Sequence, residues 1–405
     1  MKRGDRVSRT ALAGVLAGAI MLIQSCTGSG LRTGSVARLF SYPPGLKTAQ
    51  TPQFVYFTSD DNGFSGLPEA GGEGGLHYLT ELFAARRNPT GSGNPGTFDG
   101  AALHYTFFVN TFYLVVPPEG ARRPQVGENP VYVKRAWKEA LDRGHEIAVH
   151  THSHPHGRDF SVTQWRDEIR QCVEILALPW DPGETVERPN PHSGLGIDRA
   201  DVRGFRAPYL EYSDNALTAV ELEGLTYDSS VEELDLAGAV ARVLWPGPLD
   251  EGLSENRIPL GPHPGVWEVP ISDFIVPPDG ECWKYGVPAG LRSRLGKVKS
   301  YFRPHSGAIT GMDWNLWQEF QLTPSEFLAT LEHTLDKHLS GNRNPMIVGL
   351  HSELYSDVRG DSRAPAAERR AVLRTFLDYA LQKPEVRVVS IRELLGWLVH
   401  PVRLR

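Results

Sequence analysis

Five short apolar runs punctuate the chain: Phe54-Val55-Tyr56-Phe57, Thr106-Phe107-Phe108-Val109, Glu146-Ile147-Ala148-Val149, Met346-Ile347-Val348-Gly349-Leu350 and Val386-Arg387-Val388-Val389. They lack the polar alternation of a half-solvated strand and read as parallel strands buried on both faces. Amphipathic stretches with start and stop signals lie between them. Asn129 can cap a helix with Pro130 in its first turn, Val133, Trp137 and Leu141 share one face, and Gly144 ends it. Thr323-Pro324-Ser325-Glu326 is a capping box that opens a helix through Phe327, Leu331 and Leu335 to a stop near Gly341. Trp165, Ile169, Cys172, Val173 and Leu176 form another helical stripe. Such alternation over residues 51–400 predicts a single α/β domain, layered or barrel-shaped, with functional residues at the C-terminal ends of strands. The Pro- and Gly-rich stretch from Leu234 to about Trp314 is expected to be long loops with a few short strands.

The N-terminus follows a different pattern. Lys2, Arg3, Arg6 and Arg9 precede an uncharged, mainly apolar run from Ala11 to Ile23 and then Ser25-Cys26, the layout of an export signal. The run is shorter than the roughly 20 apolar residues that span a bilayer. Ile23-Gln24-Ser25-Cys26 resembles the lipobox of bacterial lipoproteins. The expectation is therefore a signal peptide over 1–26, lipidated at Cys26, on an exported protein of a bacterial cell envelope; plain secretion is the alternative. Residues 27–50 read as a flexible tether. The chain carries a formal charge of −6, so nothing suggests the concentrated basic face that nucleic acid requires. Beyond Cys26 only Cys172 and Cys282 remain, which a disulfide could join or burial keep as thiols.

The candidate chemistry lies at the ends of the predicted strands. Asp60-Asp61 follows the first, and two adjacent carboxylates need a cation, a proton or solvent between them. His150-Thr151-His152-Ser153-His154-Pro155-His156 follows the third. Imidazole is a favoured ligand of zinc and similar ions, and spacing alone permits His150 with His154, or His152 with His156. Phe205-Arg206-Ala207-Pro208-Tyr209 supplies a cation and a turn, and His351, after Leu350, a proton donor.

In this order the segments resemble the polysaccharide deacetylases with NodB homology, carbohydrate esterase family four. That family has an Asp-Asp pair, a His-x-x-x-His pair, an Arg-x-Pro-Tyr turn, a less regular acidic and Trp segment, and a late His. Here they correspond to Asp60-Asp61, His150 to His154, Arg206 to Tyr209, Asp228 or Trp267, and His351. Arg87-Asn88-Pro89, Tyr227-Asp228-Ser229, Val266-Trp267-Glu268 and Asn342-Arg343-Asn344-Pro345 make the likeness closest to the animal chitin deacetylases. Their Cys-rich chitin-binding module has no counterpart here.

The resemblance implies a distorted (β/α) barrel and one divalent metal ion, expected to be zinc, held by Asp61, His150 and His154. It implies that Asp60 is the general base toward water, kept ionised by Arg206, and that the Tyr209 N–H faces the oxyanion. His351 would protonate the departing nitrogen, Asp228 would tune the machinery, and Trp267 would wall the acetyl pocket. The implied substrate is a polysaccharide or oligosaccharide, a chitin-like β-1,4-N-acetylglucosamine chain. Peptidoglycan, an exopolysaccharide and acetylated xylan are the alternatives, and a non-catalytic glycan-binding lipoprotein is the rival of another class. The only expected membrane contact is the lipid, and oligomeric state is not legible.

Overall fold

The computed structural model describes residues 42–43, 45–115, 128–233, 245–254, 257–357 and 364–405. The expected leader, Cys26 and most of the expected tether lie outside these residues. The described end of that tether is not loose. Tyr42 pairs its hydroxyl with that of Thr51 and sets its ring edge-on to Trp245, 5.6 Å away, while Leu46 packs on the core, so the folded body reaches back to Tyr42.

The strands are β1 (Gln53–Asp60), β2 (Thr106–Val109), β3 (Glu146–Val149), β4 (Gly204–Phe205), β5 (Tyr227–Asp228), β6 (Gly247–Pro248), β7 (Trp267–Glu268), β8 (Asp273–Ile275), β9 (Ala308–Thr310), β10 (Met346–His351) and β11 (Val386–Val388). The main sheet runs β10-β1-β2-β3-β4-β5-β7-β6, with β11 also on β1, and β8-β9 form a separate antiparallel pair. All pairings in the main sheet are parallel except β6 with β7. The result is a curled, open half-barrel, an α/β fold of the distorted (β/α) barrel type.

Eight helices among the described residues complete it: α1 (Gly75–Ala84), α2 (Pro130–Asp142), α3 (Val162–Ala177), α4 (Asp214–Leu222), α5 (Leu291–Val298), α6 (Pro324–Ser340), α7 (Ala366–Leu381) and α8 (Ile391–Val399). None is long and apolar enough to cross a membrane. The caps read from sequence are in place: Asn129 accepts from the Val131 N–H, and Thr323 and Glu326 bond reciprocally. Helix α5 departs from the loops and short strands expected up to Trp314. Its eight residues bury only Leu291 and Leu295, too little for a sustained period.

Alternate strand residues feed two cores, because successive side chains point to opposite faces of a sheet. Val55, Phe57, Phe107, Val109, Ile147 and Val149 face the surrounding helices. Phe54, Tyr56, Phe108, Ala148, Tyr227 and Ile347 face the barrel interior, which Ile391, Leu394 and Trp397 of α8 close. Cys172 and Cys282 are free, buried thiols, so no disulfide joins them.

The register aligns the C-terminal ends. Asp60 pairs with His351, and Val109, Val149, Phe205 and Asp228 form one row across β2 to β5. The residues just beyond that row, Asn110, His150, Arg206 and Ser229, therefore emerge side by side. At Gly204 a Cβ would fall 2.0 Å from the Tyr227 ring, so only glycine lets β4 lie this close to β5 and deliver Arg206.

Candidate metal centre and active site

The turn after β1 is built to hold two carboxylates apart. Asn62 donates to the carbonyls of Ser59 (3.0 Å) and Phe108 (2.8 Å), accepts from the Ser59 hydroxyl (2.6 Å), and receives the Trp137 indole on its own carbonyl at 2.9 Å. Asp60 stays in the strand, whereas Asp61 and Asn62 turn left-handed, with φ of 66° and 65°. Thr151 (69°), His154 (55°), Tyr209 (56°) and Leu210 (54°) are also left-handed. These six are among nine such non-glycine residues in the described structure, so the strain is concentrated around this one place. Each such residue costs on the order of 1 kcal/mol, which the surrounding hydrogen bonds must outweigh.

Asp61, His150 and His154 come together here, one ligand atom from each lying within 4.8 Å of the others. Asp61 Oδ1 is 3.3 Å from His154 Nε2. The His150 Nδ1 donates to the Arg206 carbonyl at 2.8 Å, and since a carbonyl can only accept, this fixes the tautomer that leaves Nε2 with its lone pair. Burial lowers both imidazoles, His150 to about 4 and His154 to about 4, so both rings are neutral at physiological pH. Two neutral imidazoles and a carboxylate form a donor set that fits a zinc-like divalent ion with further positions open. The alternative ligand pair is not assembled. His152 turns its Nδ1 to the Thr111 hydroxyl (3.0 Å), and His156 lies exposed against Glu211 and stacked on Tyr209, ring centroids 3.9 Å apart.

Asp60 stands beside this trio but serves Arg206. The fully buried guanidinium donates to Asp60 Oδ1 (2.8 Å), the Thr58 hydroxyl (2.9 Å) and Ser229 (2.7 and 2.9 Å), and lies 4.1 Å over the Phe108 ring. Burial works against the Asp60 charge, but Arg206, aided by His150 and His351, outweighs it and holds the carboxyl below its ordinary range.

His351 is bound by a residue that sequence reasoning did not single out. Asp313, wholly buried, accepts from the His351 backbone N–H (3.1 Å) and bonds its Nδ1 (2.8 Å). Burial alone would lower this imidazole; the Asp313 hydrogen bond and charge outweigh it and raise it to about 10. The tryptophan that meets a site residue is Trp314, 5.8 Å from the His351 ring. Trp267 instead packs against the interior core, and Asp228 has no solvent exposure, so Asp228 cannot touch a substrate in this structure. Asp313 and Trp314, rather than Asp228 and Trp267, are the acid and the tryptophan beside His351. Adjacency of an Asp and a Trp was the only available signal.

A second set of convergent donors, His77, Glu81 and Glu139, lies at the surface. The Arg143 guanidinium already bonds both of its acids.

Residues 96–181 match the family model described as polysaccharide deacetylase, a stretch that includes His150 and His154. No curated protein matches the sequence. Among solved structures, a proposed polysaccharide deacetylase from Mycobacterium smegmatis is similar at 16% identity, with 89% of this chain and 94% of that chain covered and a TM-score of 0.45. A family 4 carbohydrate esterase from Streptomyces lividans, in complex with acetate, is similar at 13% identity over 88% of this chain and 98% of that one, with a TM-score of 0.36. An allantoinase is similar at 14% identity over 89% and 94%, with a TM-score of 0.44. At these scores the three likenesses carry no argument about chemistry.

Proposed function

We propose that this protein is a metal-dependent polysaccharide deacetylase that hydrolyses N-acetyl groups on a chitin-like β-1,4-N-acetylglucosamine chain. The reading rests on one arrangement: a three-donor cluster with a fixed imidazole tautomer, flanked by a carboxylate paired to arginine and an imidazole paired to aspartate. The family match over residues 96–181 supports the same chemistry.

Asp61, His150 and His154 would hold the ion. When bound, it would polarise the acetamide carbonyl and make water acidic enough to attack near neutrality. Asp60, ionised under the influence of Arg206, would take a proton from that water. The carbonyl then becomes a tetrahedral oxyanion, toward which the Tyr209 N–H would donate. His351 would give a proton to the sugar nitrogen as the C–N bond breaks, since an unprotonated amine leaves poorly. Acetate and a free amine result. Asp60 and His351 are register partners on adjacent strands, so base and acid approach from neighbouring points. Export to a bacterial envelope, with a lipid on Cys26, would give the enzyme its polymer.

Acetate release from chitooligosaccharides, peptidoglycan and acetylxylan, assayed in parallel with added zinc, tests the reading. Chitooligosaccharides should react fastest. Faster release from peptidoglycan or acetylxylan would reassign the polymer, and none from any of them would reject a deacetylase.

A further inference from the structure

The turn that holds Arg206 is itself anchored on two buried acids. Asp228 and Glu268 are register partners on β5 and β7, both without solvent exposure, so their side chains leave the sheet side by side on one face. Two adjacent carboxylates buried away from water repel too strongly for both to be ionised, so one of them carries a proton. The surrounding donors identify which. Asp228 accepts at both oxygens, from the Ser230 hydroxyl (2.6 Å) and the Ser230 N–H (3.0 Å). Glu268 accepts at Oε1 from the Val231 N–H (3.2 Å), while its Oε2 is buried and receives no donor among the described residues. That oxygen, on the acid beside Asp228, is the place for the proton.

Ser229 and Ser230 pass this order to the site. The Ser230 hydroxyl, donating to Asp228, accepts from the Ala207 N–H at 2.8 Å, which ties down the turn leading to Tyr209. Ser229 takes Arg206 Nε on its carbonyl and Nη2 on its hydroxyl, which in turn donates to the Val269 carbonyl (2.9 Å).

We propose that Asp228 and Glu268, as one carboxylate and one carboxylic acid, are positioning residues that fix Arg206 and the Ala207–Tyr209 turn, and through them the orientation of Asp60. The catalytic part of this proposal rests on Asp60 being the base. Arg206, beyond β4, favours the ionised form of both acids, and Glu268 in turn acts on Tyr56 of β1.

Glu268→Gln and Asp228→Asn separate the possibilities. An amide at 268 keeps a donor toward Asp228 and adds no charge, so E268Q should retain kcat within about twofold and leave the acid limb of the kcat/KM pH profile unmoved. D228N replaces an acceptor with a donor facing the Ser230 groups, and should lower kcat about tenfold or more with KM little changed. Thermal midpoints give a readout that needs no activity. In the folded wild type Glu268 keeps a proton that the unfolded chain releases above its ordinary pKa, so this group's contribution to stability falls with rising pH. The midpoint of E268Q minus that of wild type should therefore grow as pH rises above the ordinary carboxyl range. A flat difference, or a tenfold loss of kcat in E268Q, overturns the proposal. A growing difference in a wild type that deacetylates nothing would uphold the shared proton and reject Asp60 as a base.

Discussion

Asp60→Asn should lower kcat by about 10²–10⁴-fold, the usual worth of a general base, while the protein still binds its metal. An amide has nearly the shape of the carboxylate and can still accept from Arg206, but it cannot take a proton from water. Arg206 keeps Thr58 and Ser229 as partners, which limits the disturbance around a buried cation. Acetate release, metal content and thermal midpoint measured on one preparation separate the effects. Activity equal to wild type would refute the assignment of the base, and simultaneous loss of the metal would make Asp60 a ligand instead.

The second large effect concerns Asp313. With His351 raised to about 10, the acid stays protonated through neutral pH and the alkaline limb of kcat should fall near that value. Asp313→Asn removes the charge that opposes burial, so the imidazole should return to its ordinary value of roughly 6.5 or below. At pH 8 the protonated fraction would then drop about 30-fold, and kcat with it, whereas at pH 6 the loss should be only a few-fold. The stability sign agrees. The folded-state value lies above the unfolded one, so the pair contributes fully below about 6.5 and the contribution is lost as pH rises through about 10. An alkaline limb that does not move in D313N would remove Asp313 from the mechanism.

The parts of this architecture legible in sequence were those with a period or a spacing. Four- to eight-residue strands such as β1, β2, β3 and β10 bury continuous apolar runs, and α2, α3 and α6 carry side-chain caps. The two-residue strands β4, β5 and β7 carry no period at all, so their order in the sheet appears only when the register is seen. Spacing brought four histidines into view but could not choose among them, because that choice depends on left-handed turns at Thr151 and His154 and on the carbonyl of Arg206, 56 residues away. Asp313 was missed for a related reason. Its role comes from the crossing of its loop beside β10, where Met312 bridges Gly349, and no local pattern encodes that crossing.

The central claim is that residues 61, 150 and 154 grip one cation. Calorimetric titration of chelator-stripped protein with zinc, comparing wild type with His150→Ala and His152→Ala, addresses it most directly. The expected outcome is one ion per chain for wild type and for H152A, and no saturable binding for H150A. Zinc uptake by H150A equal to wild type, or its loss in H152A, would contradict the ligand set and the mechanism built on it.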